Sequence, residues 1–188
     1  MAQPTSKCFK IGIDFGGVLS IHDQAPTEDG HKSVAINIPH GIECLRKLKD
    51  MGHELYLISF AGQKRARETK QSVESHCPGL FKSLFFPKSK IYKTDVCQYV
   101  GCDFLIDDTY EIVANLAQAE PNRVGIWFQG DPNFEKVPAN EEASKSLSNL
   151  HTVQNWQEIV ELISCGFKDM TPHALNPKID LSKKIYSI

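Results

Sequence analysis

The stretch that decides the fold is FKIGIDFGG, residues 9–17. It starts as a short apolar run, reaches an acidic residue and is followed by two glycines. Such a run is typical of a buried strand that ends in a turn. We therefore expect a strand over residues 9–14, with the carboxylate of Asp14 at its carboxyl end.

After this strand, short apolar segments alternate along the chain with segments of helical character. The alternation predicts an α/β fold with a parallel sheet, and right-handed crossovers restrict its winding. A chain that starts in the middle of the sheet, winds one way and then returns gives the strand order 3-2-1-4-5. The predicted strands cover residues 9–14, 54–60, 84–86, 103–107 and 123–128, and the predicted helices cover residues 41–51, 63–76, 92–100, 110–119 and 153–165.

The length of the chain fits one domain, which we expect to cover residues 1–188. Between the regular elements we predict a small hairpin flap over about 20–39 and a long loop over about 130–150. The last residues, 171–188, hold two prolines and three lysines, and we expect them to form a tail on the surface.

Composition excludes several classes of protein. The formal net charge of -2 disfavours a dedicated nucleic-acid binder, which usually carries a basic excess. Hydrophobic residues, at 41%, suffice for a globular core, and no apolar run approaches the ~20 residues that a membrane span needs. The first ten residues lack the apolar stretch of a secretory signal. We expect a soluble, cytoplasmic protein without a membrane partner.

Acidic residues end two strands that the predicted order makes neighbours. Asp14 ends the first strand, and Asp107 and Asp108 end the fourth. Carboxylates this close repel one another unless a cation neutralises them, and oxygen ligands of this kind favour a hard cation such as Mg²⁺. The sequence therefore suggests a metal site where the winding of the sheet reverses. The alternative is that these residues cap a turn and the next helix, as Asp often does.

Two further polar residues fit the same edge of the sheet. Ser59 follows the apolar run of the second strand, where its hydroxyl could hold an anionic oxygen. Lys93 lies at the start of the short helix before the fourth strand, where a cation would neutralise a carboxylate or a phosphate. The alternatives are a helix cap for Ser59 and a solvated surface side chain for Lys93. The order of these residues along the chain is much more specific than any one of them.

The chain resembles the haloacid dehalogenase superfamily of phosphohydrolases over residues 9–128. The resemblance is carried by IGIDFGGVL, LYLIS, the later Lys93 and FLIDDT, which are similar to its four motifs. A weaker similarity to the deoxyribonucleotidase-like branch is carried by WFQGDPN and NWQEIVELI. The resemblance implies a Rossmann-like three-layer sandwich that has at most a small hairpin flap as its cap.

The resemblance also implies a Mg²⁺-dependent phosphatase and a role for each site residue. Asp14 would be the nucleophile that forms an aspartyl-phosphate, with Ser59 and Lys93 beside it as catalytic residues. The implied metal ligands are Asp14, Asp107, Asp108 and the backbone carbonyl of Gly16, and the implied phosphate-binding residues are Gly17, Ser59, Phe60 and Lys93.

Gly16 departs from the pattern of the superfamily. Two residues after the nucleophile, its phosphatases usually carry a second Asp, which protonates the leaving group and later activates water. Gly16 keeps the backbone carbonyl but removes this general acid, which typically contributes ~10²–10⁴-fold to the rate. Three outcomes stay open: a phosphohydrolase that uses substrates with good leaving groups or borrows His22, Asp23 or His31 as its acid, a slow hydrolase, and an impaired relative that binds metal and phosphate in a regulatory or scaffold role.

The small flap has a consequence for the substrate. Large inserted domains close over small substrates in the family that this chain resembles, whereas here only about 20 residues could form a lid. The site should therefore be open and exclude water incompletely. The expected partner is a phosphorylated small molecule, with nucleotides among the options, or a phosphorylated macromolecule.

Overall fold

A parallel six-stranded sheet forms the centre of the protein in the computed structural model, which describes residues 7–21, 34–133, 147–167 and 169–188. The strand order is β3-β2-β1-β4-β5-β6. The strands are β1 (Lys10–Ile13), β2 (Glu54–Ile58), β3 (Phe81–Phe85), β4 (Phe104–Asp107), β5 (Val124–Phe128) and β6 (Leu150–Val153), and the helices are α1 (Gly41–Asp50), α2 (Gln63–His76), α3 (Tyr92–Val100), α4 (Tyr110–Ala119) and α5 (Trp156–Gly166).

Helices cover the sheet on both faces, which explains why the inner residues of its central strands are mainly apolar on both sides. Alternate residues of one strand enter two separate cores: Leu57 of β2 packs with residues of α1, α2 and α5, whereas Ile58 packs with residues of α3 and α4. All four residues of β4 are buried. The predicted α/β class, the three layers and the order 3-2-1-4-5 are confirmed.

The sheet has one strand more than the sequence predicts. Residues 150–153 pair in parallel with β5 as strand β6, and the last helix begins at Trp156, three residues later than expected. Strand β3 also begins earlier, at Phe81. The predicted loop over about 130–150 therefore stops short of Leu150, and its residues 134–146 lie outside the described part of the chain.

The two ends of the predicted flap lie side by side. The amides of Asn37 and Ile38 donate to the carbonyl of Leu19 at 2.9 and 3.0 Å. The amide of Ile21 donates to the side-chain oxygen of Asn37 at 2.8 Å. Because residues 22–33 lie outside the described residues, the flap itself stays a prediction, and so does the use of His22, Asp23 or His31 as an acid.

The last residues follow α3 from one edge of the sheet to the other. His173 contacts Asp103 before β4, and the amide of Asn176 donates to the carbonyl of Tyr99 at 2.9 Å. Further on, Ile185 forms a bridge with the segment after β3. Most side chains of this segment are exposed, but Leu181 is buried against α3 and β3.

Among the described residues, none of the helices has the length and apolar character that crossing a membrane requires.

Candidate active site

The carboxyl ends of β1 and β4 bring Asp14 and Asp107 together. In the parallel pairing of these strands Ile13 lies beside Ile106. The pairing continues by one hydrogen bond, from the amide of Asp14 to the carbonyl of Ile106 at 2.9 Å. Both carboxylates are therefore held on rigid, buried backbone at the point where the winding of the sheet reverses.

Lys93 lies between these two carboxylates. Its Nζ is 2.7 Å from Oδ2 of Asp14 and 2.6 Å from Oδ2 of Asp107, and only 2% of the residue is exposed. Burial alone would lower the pKa of Lys93, but the charges and hydrogen bonds of the two carboxylates outweigh burial and raise the pKa. Lys93 is therefore a charged, immobilised cation rather than a solvated surface lysine.

The second oxygen of each carboxylate is held by the backbone. Oδ1 of Asp14 accepts a hydrogen bond from the amide of Phe15 at 2.7 Å, and Oδ1 of Asp107 accepts one from the amide of Thr109 at 2.9 Å. These bonds fix the orientation of both side chains. The N-cap position of α4 is held by Thr109, not by an Asp, so the capping alternative does not account for Asp107 or Asp108.

Asp108 completes a cluster of three carboxylates. Ligand oxygens of Asp14, Asp107 and Asp108 all lie within 4.8 Å of one another. Asp14 and Asp107 share the ammonium of Lys93, and Asp108 adds a third acidic group beside them. This crowding of acidic groups and the oxygen-only donor set fit a hard divalent cation.

The electrostatics of the cluster agree with that interpretation. Burial first, and then the charge of Asp14, raise the pKa of Asp107, against the opposing effect of Lys93. Burial also raises the pKa of Asp108, and with the charges of Asp14 and Asp107 it brings the pKa to about 8. A carboxyl whose pKa is raised by burial and by neighbouring negative charge marks a place where a bound cation would favour the ionised form.

Trp127 supports the acidic cluster from β5, which the sequence did not indicate. Its indole Nε1 donates to the carbonyl of Asp108 at 2.9 Å. The ring of Tyr110 packs edge-on against the indole with 5.0 Å between ring centroids. Nothing in a run of apolar strand residues distinguishes a tryptophan that holds a site loop from one that fills the core.

The turn after β1 places the two glycines of the first motif. The amide of Gly17 donates to the carbonyl of Ser20 at 2.7 Å, and the amide of Ser20 donates to the carbonyl of Phe15 at 2.9 Å. Gly17 has a φ of 70°, which favours glycine at this position. Since its amide is used inside the turn, contact between Gly17 and a phosphate stays a prediction, as does metal binding by the carbonyl of Gly16.

Ser59 and Phe60 lie at the same edge, on the neighbouring strand. The amide of Ser59 donates to the carbonyl of Phe85 at 3.0 Å, so the backbone of Ser59 continues the sheet, and the residue is 5% exposed. The residue that caps α2 is Gly62, so Ser59 is not its cap. Phe60, by contrast, is 43% exposed. Their roles towards a phosphate stay predictions.

Comparison with known proteins finds matches among solved structures but none among family models or curated sequences. No protein-family model and no curated protein sequence matches the chain. A cobalt-bound deoxy-D-mannose-octulosonate 8-phosphate phosphatase from Haemophilus influenzae matches in structure with a TM-score of 0.53 and 14% identity, over 86% of this chain and 90% of that one. A D,D-heptose 1,7-bisphosphate phosphatase from B. bronchiseptica, complexed with magnesium and phosphate, matches with a TM-score of 0.52 and 11% identity, over 82% and 97%.

A putative 3-deoxy-D-manno-octulosonate 8-phosphate phosphatase from Vibrio cholerae also matches, with a TM-score of 0.52 and 14% identity, over 85% and 84% of the two chains. These neighbours are named as phosphatases. The chain shares their fold. The fold that the motif resemblance implies is thus confirmed. On this fold, the side chains of Asp14, Lys93, Asp107 and Asp108 converge at the carboxyl edge of the sheet.

Proposed function

We propose that the chain is a Mg²⁺-dependent phosphohydrolase that acts through an aspartyl-phosphate on Asp14. The observation that carries the proposal is the contact of Lys93 with Asp14 and Asp107, beside Asp108, at the edge where strands β1 and β4 end. Each of these residues has a structural explanation by itself. Three carboxylates within 4.8 Å of one another have none as a group, because close like charges are costly unless a ligand balances them.

Asp14 is the group placed to attack. Its carboxylate forms a bond to phosphorus while the bond to the leaving oxygen breaks, and the leaving alcohol takes up a proton. Water then attacks the phosphorus of the aspartyl-phosphate and releases inorganic phosphate and the free carboxylate. Lys93 stays charged throughout and offsets the charge on the phosphoryl oxygens.

The metal would be held by the carboxylates of Asp14, Asp107 and Asp108, with the carbonyl of Gly16 as a further ligand. When bound, Mg²⁺ supplies positive charge next to the transferring phosphoryl group. The chain's own part is to hold these ligands rigidly: Thr109 through its amide and Trp127 through its indole.

The first experiment measures hydrolysis of p-nitrophenyl phosphate in Mg²⁺ and in EDTA. We expect activity only with the metal, and its loss in Asp14→Asn. Asp50→Asn is the matched control, because Asp50 is an exposed carboxylate at the end of α1. Activity that persists in Asp14→Asn would exclude the covalent mechanism.

Gly16 predicts how the rate depends on the leaving group. Without an acid two residues after the nucleophile, esters of acidic alcohols should react much faster than alkyl phosphates. A series of phenyl phosphates of different leaving-group pKa measures this dependence. A flat dependence would show that another residue protonates the leaving oxygen.

The proposed substrate class is a phosphorylated small molecule or a phosphorylated macromolecule. The solved neighbours are named as phosphatases of phosphorylated sugars, so sugar phosphates belong first in a screen, followed by nucleoside monophosphates and phosphopeptides. A preference for the largest of these compounds would agree with an open site that lacks a large cap.

A second function, metal and phosphate binding without turnover, is supported by Gly16 alone. Gly16→Asp separates it from the first. A large gain of activity in Gly16→Asp over an inactive wild type would favour the binding role, whereas an active wild type excludes it.

A further inference from the structure

We propose that residues 184–188, named the strap here, position Lys93 for catalysis, an inference that rests on the proposed function. The strap lies against the segment that follows β3 and leads into α3. Its Ile185 forms an antiparallel bridge with Pro87. Residues more than 90 positions apart in sequence are therefore joined at the edge of the sheet that carries the site.

Two hydrogen bonds flank this bridge. The amide of Lys88 donates to the carbonyl of Lys184 at 2.8 Å, and the amide of Tyr186 donates to the carbonyl of Phe86 at 3.0 Å. The ammonium of Lys88 also lies over the ring of Tyr186, 5.7 Å from its centroid. The segment after β3 is thus held by the strap as an added strand would hold it.

That segment sets the position of Lys93. The amide of Tyr92 donates to the carbonyl of Ser89 and the amide of Lys93 to the carbonyl of Lys90, each at 3.1 Å. The residue before the helix, Ile91, makes no capping hydrogen bond through its side chain, so the start of α3 has no cap of its own. Residues 86–90 therefore help to set the position of this first turn, whereas the buried Val96 and Cys97 hold the rest of the helix.

The strap also contacts the first turn of α3 directly. Nζ of Lys184 is 2.9 Å from Oδ1 of Asp95 and lies 5.6 Å from the ring centroid of Tyr92. Tyr92 and Asp95 lie on either side of Lys93 in sequence. One side chain of the strap thus contacts the helical turn from which Lys93 extends.

The position of Lys93 matters because it has two short contacts to maintain at once. Its Nζ is within 2.7 Å of both Asp14 and Asp107, and a small shift of the turn lengthens one contact or both. Displacements of about 1 Å near a reacting group can cost ~10²-fold in rate. Lys184 is therefore a positioning residue, which acts on the reaction through Lys93.

The main test replaces Lys184 in the full chain and measures kcat, KM and amide hydrogen exchange at residues 88–93. Contacts that support a site residue without touching the substrate typically lower activity about 10-fold or more when they are lost. Since Lys184 is one of several anchors, we expect Lys184→Ala to lower kcat about 3- to 10-fold, with KM nearly unchanged and faster exchange. Lys184→Arg should restore kcat, and Lys183→Ala, an exposed neighbour, should behave as wild type.

A second pair of variants tests the backbone contact. Tyr186→Pro removes the amide that bonds to Phe86, whereas Tyr186→Ala keeps it and removes the ring. We expect a lower kcat in the proline variant than in the alanine variant at a temperature where both are folded. Equal values for the two would contradict the proposed role of this bond.

The outcomes separate the strap from the proposed function. If Lys93→Ala abolishes activity while Lys184→Ala and Lys183→Ala share one kcat, the strap inference is wrong and the function stands. Faster exchange with an unchanged kcat also overturns the inference, because the strap then only stabilises the fold. Full activity in Lys93→Ala, or an inactive wild type, overturns the proposed function and the inference with it.

Discussion

Strand β4 has a buried carboxylate at each end, and the two differ in what surrounds them. Asp103 precedes the strand and Asp107 ends it, and both residues are 0% exposed. Oδ2 of Asp103 accepts a hydrogen bond from the amide of Lys10 at 2.8 Å. Its Oδ1 accepts one from the amide of His173 at 2.7 Å and lies 2.8 Å from Nδ1 of the same histidine. Asp107 shares one lysine with Asp14 and faces further negative charge.

The difference teaches that burial of a carboxylate does not by itself indicate function. At the amino edge of the sheet, donors meet both oxygens of Asp103, and the contacts hold the C-terminal segment in place. At the carboxyl edge, Asp14 and Asp107 share one ammonium, and Asp108 lies beside them. Among the described residues this is the one cluster of three acidic or metal-binding side chains. The crowding of acidic groups, and not burial, distinguishes the candidate site from the structural contact.

Asp107→Asn should give the largest effect. It removes a charge from the cluster and weakens the hold on Lys93, so we expect kcat/KM to fall about 10²–10³-fold. Steady-state kinetics at low temperature measure it, with Asp103→Asn as the matched variant at the other end of the strand. If Asp107→Asn and Asp103→Asn both fold and lose activity to the same extent, the two ends of β4 do not differ in their importance for the reaction.

Asp103→Ala should affect stability rather than chemistry. It leaves the amides of Lys10 and His173 without their acceptor, and each unsatisfied buried group costs about 1–3 kcal/mol. We expect the free energy of unfolding in urea to fall by about 2–3 kcal/mol, with kcat of the folded protein preserved. A loss below about 0.5 kcal/mol would show that water replaces the carboxylate at no cost.

Asp108 should make stability depend on pH in the absence of metal. Since folding raises the pKa of Asp108 to about 8, the protonated carboxyl favours the folded state. That contribution is complete below about pH 4 and is lost as the pH rises through about 8, because the unfolded chain then binds fewer protons than the folded one.

The comparison of wild type with Asp108→Asn isolates this effect from other titrating groups. In EDTA we expect Asp108→Asn to match wild type below about pH 4 and to exceed it by at least about 1 kcal/mol at pH 8, since one pKa unit corresponds to about 1.4 kcal/mol. Added Mg²⁺ should raise the melting temperature of wild type more at pH 8 than at pH 5. A constant difference between the two proteins across this range would contradict the assignment.

Trp127→Phe should give the smallest effect. It keeps an aromatic ring but removes the hydrogen bond to the carbonyl of Asp108. A neutral hydrogen bond contributes about 1 kcal/mol, so Mg²⁺ affinity should weaken about fivefold. Isothermal titration calorimetry measures this affinity, and an unchanged value would show that the indole does not hold the ligand loop.

The sequence predicts the centre of this molecule well. The central strands β1, β2 and β4 are mainly apolar, and each has a polar residue at or directly after its carboxyl end. Their order and the convergence of their ends therefore follow from local patterns. Lys93 could be placed near that edge because its helix precedes β4. Its depth of burial and its shared contact with Asp14 and Asp107 required the three-dimensional structure.

The periphery is where prediction from sequence fails. Strand β6 has only four residues, LHTV. So short a run does not distinguish a strand from the start of a helix, and the pattern therefore places Val153 in the helix. The contacts of Asp103 with His173 and of Pro87 with Ile185 join distant residues. No local periodicity encodes such pairings, because they depend on where the sheet places both partners.

The shortness of β4 has one more consequence. With four residues between helices packed on both faces, the strand is too short for one end to unfold while the other stays folded. Damage at the Asp103 contact should therefore yield temperature-sensitive proteins, active when cool and silent after modest warming. Random mutagenesis followed by replica screening at two temperatures would find such alleles clustered around residues that never approach a substrate.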